Sequence, residues 1–335
     1  MLNLTIRIED TGNLIYLYNY ALSIIELLRH RYKVLLLNDL NPDEEPDVLL
    51  YSCWGMNNLR WRNSIRIYFT AEQDIPDFNL CDYAIGLSYV GMPSRFLHFP
   101  FYVFYNDLIR KLENKSFQSY DQQFLNRKFC STVISGPMRH PIYFEIVNQL
   151  NNYKRVDSGG KRFNNIGGSV SDKISFIQNY KFNLAIENLN VNGYITEKIP
   201  EAFVAQTLPV YWGSDTVKKE FGEGGYINIS DFESIEKAIQ FIKEVDNDDE
   251  LYLKILKRGA QPIFTYDQWC EKLFDFLVNA IQHGKQIYDS GMYNVIYNER
   301  LFYYKIRNSF PGLVYRKYQR MNSAIREYLK TQKFL

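Results

Sequence analysis

The sequence lacks the short motifs that usually reveal a nucleotide-binding enzyme. No G-x-G-x-x-G follows the first predicted strand of either half of the chain, and G-x-x-x-x-G-K-[ST] does not occur anywhere. The first motif places a dinucleotide pyrophosphate at a helix start, and the second surrounds the phosphates of ATP or GTP. Their absence removes the usual support for a dehydrogenase or an NTPase.

Cysteine and net charge are also low. The cysteines form no C-x-x-C pair, so neither a zinc site nor a disulfide framework is indicated; they are Cys53, Cys81, Cys130 and Cys270. The formal net charge is +1, from 39 Lys and Arg against 38 Asp and Glu, which gives no overall field to attract nucleic acid. We therefore expect a cytoplasmic protein without a nucleic-acid partner, in which any basic site is local.

Apolar residues near the N-terminus do not form an uninterrupted run. The stretch LIYLYNYALSIIELL is preceded by Glu9 and Asp10 and interrupted by Asn19 and Glu26. A signal peptide would carry positive charge before its apolar region, and a membrane-spanning helix needs about 20 apolar residues. The pattern predicts an amphipathic core helix.

The apolar segments that are present predict an α/β fold with two domains. At 335 residues and 46% hydrophobic content, the chain exceeds the size at which one core stops growing, about 250–300 residues. Short apolar segments alternate with helical spacers from LNLTIRI to CDYAIGLS, and the alternation restarts at KFCSTVIS after a polar break over residues 111–128. Such strands are typical of parallel sheets covered on both faces. We predict two Rossmann-like domains facing across a cleft, residues 1–120 and 121–285, followed by a helical tail, residues 286–335.

Polar residues cluster where one predicted strand of the second half ends. The strand KFNLAIEN leads through a glycine-containing loop to a helix start; the cluster consists of Glu187, Asn188, Tyr194, Thr196, Glu197 and Lys198. Ligands of open α/β sheets bind at such strand ends, and a helix start favours an anion. Arg155, on the strand YKRVDSGG, and Lys198 are the candidates for contact with a phosphate group.

Each of these residues also has an ordinary explanation. An Arg at a strand end is commonly ion-paired at the surface, and a Glu-Lys pair in a first helical turn is commonly solvated. Thr196 is equally explained as a helix N-cap. Arg155 and the residues of the cluster are all predicted to lie at strand ends or at a helix start. This shared location favours a ligand site but does not identify the ligand.

The run YKFNLAIENLNVNGYITEKIPEAFVAQTLPVYWGS, residues 180–214, closely resembles the signature of the α-1,3/1,4-fucosyltransferases, glycosyltransferase family 10. In that signature a strand ending in Glu-Asn leads to a Tyr-[Ile/Val]-Thr-Glu-Lys helix start and then to a Pro-[Val/Ile]-Tyr-Trp-Gly strand. Two further stretches are similar to bacterial members: YKRVDSGG with NNIGG, within residues 153–168, and FTAEQDIPDFNLCDYAIG, residues 69–86. The resemblance extends from about residue 65 to about residue 245.

The resemblance implies a GT-B architecture with GDP-fucose bound to the second domain. It implies that Arg155 and Lys198 neutralise the pyrophosphate, that Glu197 accepts hydrogen bonds from ribose hydroxyls, and that Tyr194 and Asn188 line the nucleotide and the fucose. Further candidates at this site are Glu187, Ser135, Arg139 and Thr196. Because cationic side chains can stabilise a diphosphate leaving group, we expect neither a cofactor nor an essential divalent metal.

Glu72 matches the candidate general base of the family. Transfer from a β-linked donor to an α-linked product inverts the anomeric carbon, so one displacement with one base suffices. Glu72 follows the predicted strand SIRIYFT, and Asp74 and Asp77 are rival carboxylates on the same segment. A solvated loop glutamate is the ordinary explanation, and the surrounding match favours the base.

Two features differ from the family pattern or imitate another one. Family members often have Asn after the Ser of VISGPMRH, where this chain has Gly136, so a donor contact by that side chain is not expected. Residues 246–248 spell D-x-D, the metal signature of another glycosyltransferase architecture, within the run DNDDE. We interpret this run as a solvated linker.

The C-terminal segment from residue 293 interleaves Arg and Lys with Tyr and Phe and has almost no acidic residues. Helices packed on the domains, with extended cationic side chains, would explain this composition. The alternative is peripheral contact with an anionic membrane, which would place the protein at the inner face of the cytoplasmic membrane.

Taken together, the motifs predict an inverting fucosyltransferase that moves L-fucose from GDP-β-L-fucose to a GlcNAc or Glc hydroxyl of an N-acetyllactosamine- or lactose-type acceptor, as in Lewis antigen synthesis on protein or lipopolysaccharide glycans. Two alternatives stay open. One is a glycosyltransferase of the same architecture with another nucleotide-sugar donor, and the other is a non-catalytic carbohydrate-binding protein. The motifs leave the acceptor and the choice between α-1,3 and α-1,4 linkage open.

Overall fold

The structure is a computed structural model that describes residues 2–38, 40–113, 122–136, 140–161, 163–287 and 292–332. It contains two parallel-sheet α/β regions followed by a helical C-terminal region. The predicted fold class is confirmed in these respects.

The N-terminal half forms a six-stranded sheet in the order β2-β1-β3-β4-β5-β6. Its strands are β1 Leu2–Glu9, β2 Tyr32–Leu36, β3 Val48–Tyr51, β4 Ile65–Phe69, β5 Tyr83–Gly86 and β6 Phe96–His98. β1 pairs in parallel with β2 and β3, and β3 pairs in parallel with β4. Every residue of β3 and β5 is buried, as expected for short apolar strands inside a parallel sheet. The predicted strands of this half are confirmed, whereas β6, with three residues, has too short a pattern to predict.

The second sheet has five strands in the order β11-β10-β9-β7-β8. They are β7 Lys128–Thr132, β8 Val156–Ser158, β9 Tyr180–Ile186, β10 Leu208–Trp212 and β11 Ile227–Asn228, and all their pairings are parallel. From β7 the chain moves outward to β8 and then returns to β9 on the other side of β7. The strand order therefore reverses between β7 and β9, and ligands of open parallel sheets bind beyond the carboxyl ends of the strands at such a point.

The helices cover the sheets and form the C-terminal region. They are α1 Ile15–Leu28, α2 Asn106–Glu113, α3 Gln122–Leu125, α4 Ile142–Asn151, α5 Lys173–Ile177, α6 Lys198–Val204, α7 Lys218–Phe221, α8 Ile235–Asn247, α9 Asp249–Arg258, α10 Tyr266–His283, α11 Met292–Asn308 and α12 Phe310–Gln332. In α1, the buried Leu17, Ala21, Ile24 and Leu28 recur at helical spacing. The predicted amphipathic core helix is thus confirmed.

Contacts between Cα atoms divide the chain into two compact units. The first unit comprises Met1–Phe69, Pro76–Ala84 and Asn279–Leu335, and the second comprises Thr70–Ile75 and Ile85–Val278. These limits differ from the predicted boundaries after residues 120 and 285, of which the first borders residues 114–121, outside the described part of the chain. The segment that carries Glu72 and residues 85–113 belongs to the second unit, although both precede the predicted boundary.

The C-terminal region begins with a helix that packs on the first unit. Tyr297 of α11 is buried with Leu59 and Ile287, and its hydroxyl donates a hydrogen bond to the carbonyl of Leu59. The guanidinium of Arg62 lies 4.9 Å from the centroid of the Tyr297 ring. The start of the tail is therefore part of the fold of this unit.

The D-x-D run has a structural role that differs from the predicted solvated linker. The Asp246 side chain is 2% exposed and lies 2.5 Å from the Lys154 ammonium and 3.0 Å from the Lys181 ammonium, and it accepts a hydrogen bond from the Tyr153 hydroxyl at 3.0 Å. Burial alone would raise the pKa of Asp246, but the hydrogen bonds from the two lysines outweigh it and lower the pKa. Asp248 caps α9 by accepting from the Leu251 N–H at 2.9 Å. The solvated-linker interpretation was wrong because Asp246 is buried in ion pairs and Asp248, although exposed, caps a helix.

We predict that Asp246→Ala lowers the free energy of unfolding by about 3–5 kcal/mol, because it leaves the buried Lys181 ammonium without its partner. Asp248→Ala, the matched control, removes one helix cap and should cost about 1 kcal/mol. Because the folded-state pKa of Asp246 is depressed, its contribution is present at neutral pH and is lost as the pH falls through that pKa. Thermal and urea unfolding of both variants at neutral and acidic pH measure this, and equal losses would contradict it.

Candidate functional site

A buried carboxylate stands at the carboxyl end of β9. Glu187 follows β9 directly and has no exposed surface. Its carboxylate accepts hydrogen bonds from the Thr196 N–H at 2.8 Å and the Thr196 hydroxyl at 2.9 Å, and from the Lys198 ammonium at 2.7 Å. Because an unpaired buried carboxylate would be very costly, these contacts hold the end of the loop, residues 188–197, against the strand that begins it.

Lys198 is the cation of this cluster. Its ammonium contacts Glu187 and also the Thr196 hydroxyl at 2.8 Å. Burial opposes the charged form of Lys198, but the charges of Glu187 and Glu197 outweigh it, so the pKa of Lys198 is raised. The ammonium is therefore charged throughout the physiological range.

Thr196 does not act as the helix cap that its sequence position also allowed. α6 begins at Lys198, and Glu197 occupies the cap position without a side-chain cap hydrogen bond. Both polar groups of Thr196 are directed to Glu187 instead. The helix start therefore gives little support to the predicted anion site. α6 has only seven residues, and the Thr196 N–H already donates to Glu187.

A glycine fixes the middle of the loop. Gly193 has a φ of +88°, and a Cβ built there would lie 1.9 Å from the carbonyl oxygen of Leu87, so only glycine fits both the conformation and the space. Its N–H lies 3.0 Å from the hydroxyl oxygens of Ser214 and Thr216. The loop is therefore held at Gly193 as well as at Glu187.

Tyr194, Glu197 and Glu72 belong to one electrostatic cluster in the second unit. Burial raises the pKa of Tyr194; the Lys198 charge acts against it, and the charges of Glu187, Glu72 and Glu197 add to it. For Glu197, burial would raise the pKa, but the charges of Lys198 and Lys173 and further hydrogen bonds lower it. Glu72 thus lies within electrostatic reach of the loop, in the second unit rather than in the domain to which its sequence position assigned it.

Several residues near this loop were not identified from the sequence. Burial, with the charges of Glu197 and Glu201, raises the pKa of Tyr105 to about 12, although Tyr105 lies far away in the sequence. Lys173 forms an ion pair with Glu201. No pattern in the sequence distinguishes these residues, because packing of α2 and α5 on α6 brings them to the loop.

Arg155 lies elsewhere. It precedes β8 rather than following a strand, so the prediction that it lies at the carboxyl end of a strand was wrong. In the sheet register, Val156 pairs with Cys130, and Cys130 also pairs with Phe182. Arg155 is therefore level with the start of β9. Since Glu187 follows the end of that strand, the two residues are about 20 Å apart along the strand direction. Its guanidinium contacts Asp157 at 2.7 Å and the carbonyl of Asn165 at 2.7 Å.

The remaining predicted residues lie near the strand ends or outside the described part of the chain. Asn188 is half-buried directly after Glu187, and Ser135 is exposed in the segment after β7. Both positions follow the strands that flank the reversal of strand order. Arg139 lies outside the described residues, and its role stays a prediction.

The first unit contains a pocket of about 640 Å³ beyond the carboxyl ends of β1 and β3. Asp10 and Asn13 in its wall have φ values of +59° and +61°, and Trp54 is 50% exposed. Burial raises the pKa of Asp10 to about 6, although the N–H groups of Asn57 and Asn58 bind its carboxylate. Left-handed backbone is costly and concentrates at functional sites, and an exposed indole offers an apolar face to a ligand ring.

The part of the chain that the structure describes contains neither a candidate metal-binding cluster nor a candidate membrane-spanning helix. No three His, Cys, Asp or Glu side chains are grouped so that they could hold a metal ion. No helix among these residues combines the length and apolarity needed to span a membrane.

Two protein-family models match this chain, one in each half. A model described as glycosyltransferase family 10 (fucosyltransferase), C-terminal part, matches residues 125–279. A model described as the N-terminal domain of the α-(1,3)-fucosyltransferase FucT matches residues 17–105. The first match contains β7 to β11 and the Glu187 loop.

Curated relatives carry the same description. The α-(1,3)-fucosyltransferase FucT of Helicobacter pylori is 32% identical over 275 residues, which are 72% of this chain and 56% of that protein. The 4-galactosyl-N-acetylglucosaminide 3-α-L-fucosyltransferase 9 of Mus musculus is 34% identical over 110 residues, 32% of this chain and 30% of that protein. The chain thus spans about half of the first relative and about a third of the second.

Solved structures of an α1,3-fucosyltransferase have the same fold. The structure with GDP has a TM-score of 0.72 at 26% identity and covers 87% of this chain and 93% of that one. The structure with GDP-fucose has a TM-score of 0.71 at 26% identity and covers 86% of this chain and 93% of that one. By these matches and by the strand-loop-helix built on Glu187, the chain belongs to glycosyltransferase family 10, the fucosyltransferases.

Proposed function

We propose that this protein transfers L-fucose from GDP-β-L-fucose to a hydroxyl of GlcNAc or Glc in an N-acetyllactosamine- or lactose-type acceptor, with inversion at the anomeric carbon. The observation that carries the proposal is the charged loop after β9. There Lys198, Glu197 and Tyr194 lie at the reversal of strand order in a member of the fucosyltransferase family, and Tyr194 is within electrostatic reach of Glu72. The solved relatives that share the fold bind GDP and GDP-fucose.

The donor would lie over this loop. A Lys ammonium has three N–H donors, and two of them point to Glu187 and Thr196. The third is available for a diphosphate oxygen, where a charge-assisted contact stabilises the leaving group. The ionised Glu197 carboxylate suits the vicinal hydroxyls of ribose, and Tyr194 and Asn188 line the adjoining space.

Glu72 would act as the general base. Its carboxylate takes the proton of the acceptor hydroxyl, the acceptor oxygen forms a bond to fucose C1, and the bond from C1 to the β-phosphate oxygen breaks with its electron pair leaving on GDP. The Lys198 charge stabilises the diphosphate as this charge develops. In this scheme no divalent metal and no cofactor is needed.

The pocket of the first unit would bind the acceptor. The Trp54 indole offers a surface on which the apolar face of a sugar ring can stack, and backbone and side-chain polar groups of Asp10 and Asn13 lie in the same wall.

A panel of type-1, type-2 and lactose acceptors with linkage determination by NMR tests the acceptor and linkage. Transfer from UDP-sugars but not from GDP-fucose would contradict the proposed donor, and glycan binding without GDP release would contradict an enzyme.

The C-terminal helices would contact an anionic membrane. Exposed apolar side chains follow one another along α11 and α12, including Phe302, Phe310, Leu313 and Tyr318. Between residues 300 and 326 there are seven Lys and Arg and no Asp or Glu. Basic helices with exposed aromatic and aliphatic side chains bind the interface of anionic membranes.

We expect Lys198→Ala to weaken GDP binding by about 10- to 150-fold, because a charge-assisted contact to phosphate is worth about 1.5–3 kcal/mol. Lys198→Ala also leaves Glu187 buried without its cation, so the double variant Glu187→Gln/Lys198→Ala keeps the site neutral and folded. Arg155→Ala is the control and should bind GDP like the wild type. Calorimetry measures the GDP affinity of all three variants, and equal affinity of the double variant and the wild type would remove Lys198 from the donor site.

Because the proposed scheme needs no divalent metal, we expect the turnover of the protein to be the same with EDTA as with added Mg²⁺.

We expect Glu72→Gln to keep GDP affinity while kcat falls by roughly 10²–10⁴, the usual scale for a positioned general base. The amide keeps the shape and hydrogen bonding of the side chain but cannot take the proton. Asp74→Asn and Asp77→Asn, on the same segment, should retain turnover. A GDP-release assay with acceptor measures this; near wild-type turnover of Glu72→Gln would exclude Glu72, and a comparable loss in either control would move the base to that residue.

We expect Lys305→Gln/Lys317→Gln to weaken binding to vesicles that contain anionic lipid by about 30-fold, since each basic residue near the surface contributes about 1 kcal/mol. Lys237→Gln/Lys254→Gln removes two exposed cations from helices of the second unit and should leave binding unchanged. Vesicle co-sedimentation compares anionic with neutral lipid. Equal binding of the two variants would show that the tail is not the contact surface.

A further inference from the structure

A second cavity, the edge cavity, lies along the outer edge of the sheet in the second unit. It has a volume of about 700 Å³, and its walls come from the segments around β11, from the turn after β10 and from α8 and α9. β11 is the last strand of the sheet on this side, and it contains only two residues. Cavities of about 300–1,000 Å³ have the size that small ligands occupy, so the chemistry of these walls decides what fits.

Aromatic rings form the apolar part of the edge cavity. Phe232 and Phe241 are half-buried in its wall, and their ring centroids lie 5.4 Å apart. Tyr226 is also half-buried, and its hydroxyl donates a hydrogen bond to the carbonyl of Gly222 at 3.2 Å. Partly exposed rings offer a flat apolar surface to a ligand, and the C–H face of a sugar ring packs on such a surface.

Two cationic side chains supply hydrogen-bond donors. Lys218 and Arg258 line the edge cavity and are exposed. Among the residues that the structure describes, neither has a carboxylate within ion-pair distance. Gly224 leaves room for Arg258, because it has a φ of +79° and a Cβ there would lie 3.0 Å from the guanidinium carbon. The N–H groups of both cations are therefore available to a ligand.

Carboxylates supply the hydrogen-bond acceptors. Asp215 and Glu223 are exposed in the wall of the edge cavity. Asp231 accepts a hydrogen bond from the Asn228 amide at 2.9 Å, and the Asn228 side-chain oxygen accepts from the Ser230 N–H at 3.3 Å. This network holds Asp231 beside the carboxyl end of β11. Because a carboxylate has about four acceptor positions, Asp231 keeps capacity for a ligand.

This combination of groups favours a neutral oligosaccharide. Sugar hydroxyls both donate and accept hydrogen bonds, so they match walls that contain cations, carboxylates and aromatic rings together. The walls have three carboxylates and two cations, so they have no excess of positive charge that would attract a phosphate group or a nucleotide. A peptide can pair with an exposed sheet edge, but the two residues of β11 are too short for such pairing.

The edge cavity and the donor loop share one turn of the chain. Asp215 lines the cavity, and the hydroxyl oxygens of its two neighbours, Ser214 and Thr216, lie 3.0 Å from the Gly193 nitrogen. Both features belong to the second unit. A ligand in the cavity would therefore contact the same turn that holds the loop at Gly193.

We propose that the edge cavity is a second carbohydrate-binding site, which takes a neutral oligosaccharide segment of a glycan longer than the reacting acceptor unit. The inference rests on the proposed function, because the glycan is a longer form of the acceptor proposed there. The residues of the edge cavity bind this segment by hydrogen bonds and ring stacking, and they take no part in the transfer of fucose.

The test measures the binding of a hexasaccharide of three N-acetyllactosamine repeats by NMR titration in the Trp54→Ala background. Trp54→Ala removes the stacking surface of the proposed acceptor pocket, so the binding that persists reports the edge cavity. Adding Asp215→Ala/Lys218→Ala removes one acceptor and one donor without changing the net charge, and it should weaken this binding about tenfold or more. Adding Lys257→Ala/Glu271→Ala instead removes two exposed charges outside the cavity and should leave the affinity unchanged.

Hydroxyl-radical footprinting locates the ligand without any substitution in the edge cavity. The hexasaccharide should slow the oxidation of Tyr226 and Phe232, and inorganic phosphate should not displace it. Unchanged oxidation of both rings would overturn the proposal, also in the case that the Asp215→Ala/Lys218→Ala protein does not fold. Displacement by phosphate would show an anion site and would overturn it as well.

The outcomes separate the edge cavity from the proposed function. If Trp54→Ala abolishes all binding of the hexasaccharide, or if Asp215→Ala/Lys218→Ala and its control bind it equally, the edge cavity is not a carbohydrate site, whether or not the protein transfers fucose. If the wild type transfers no fucose to any acceptor, the proposed function is wrong. Hexasaccharide binding, which is measured without a donor, then still decides the inference.

Discussion

The conformation of the loop to which we assign the donor depends on one buried carboxylate. Glu187 has no exposed surface, and the loop that follows it returns after nine residues to place Thr196 and Lys198 on the same carboxylate. A carboxylate is stable away from water only when hydrogen-bond donors or cations surround it. The loop conformation is therefore the one that supplies those donors, and Tyr194 and Glu197 are positioned as a consequence.

Parts of the chain that are distant in sequence complete this arrangement. Residues 85–113 follow the first sheet in sequence but belong to the second unit. They bring Tyr105 to Glu197 through the packing of α2 on α6, and Leu87 to Gly193. The short segment with Glu72 also belongs to this unit. The proposed base and the proposed donor loop are therefore built on one compact unit, which favours a fixed distance between them.

Charged residues with similar sequence signals have different roles in the folded chain. Lys198 is held at a strand end by a buried glutamate, whereas Arg155 precedes its strand and pairs with Asp157. Asp246 resembles a metal ligand in sequence, yet two lysines occupy its carboxylate. In each case the direction of a strand or the burial of a side chain decided the role, and neither is encoded in the local residue types.

The sequence by itself determined the two α/β halves, nearly all the strands, the helical C-terminal region and the family. It did so because apolar periodicity and the signature around Glu187 are local properties, readable over ten to thirty residues. It also indicated most of the loop residues, because Glu187 to Lys198 are contiguous. Only the tertiary structure showed that Arg155 lies about 20 Å from Glu187 along the strand direction, that Glu72 lies within electrostatic reach of Tyr194, and that His98 lies 3.3 Å from Glu220. These relations join residues separated by tens to more than a hundred positions, and they follow from strand order, burial and packing, which no local pattern contains.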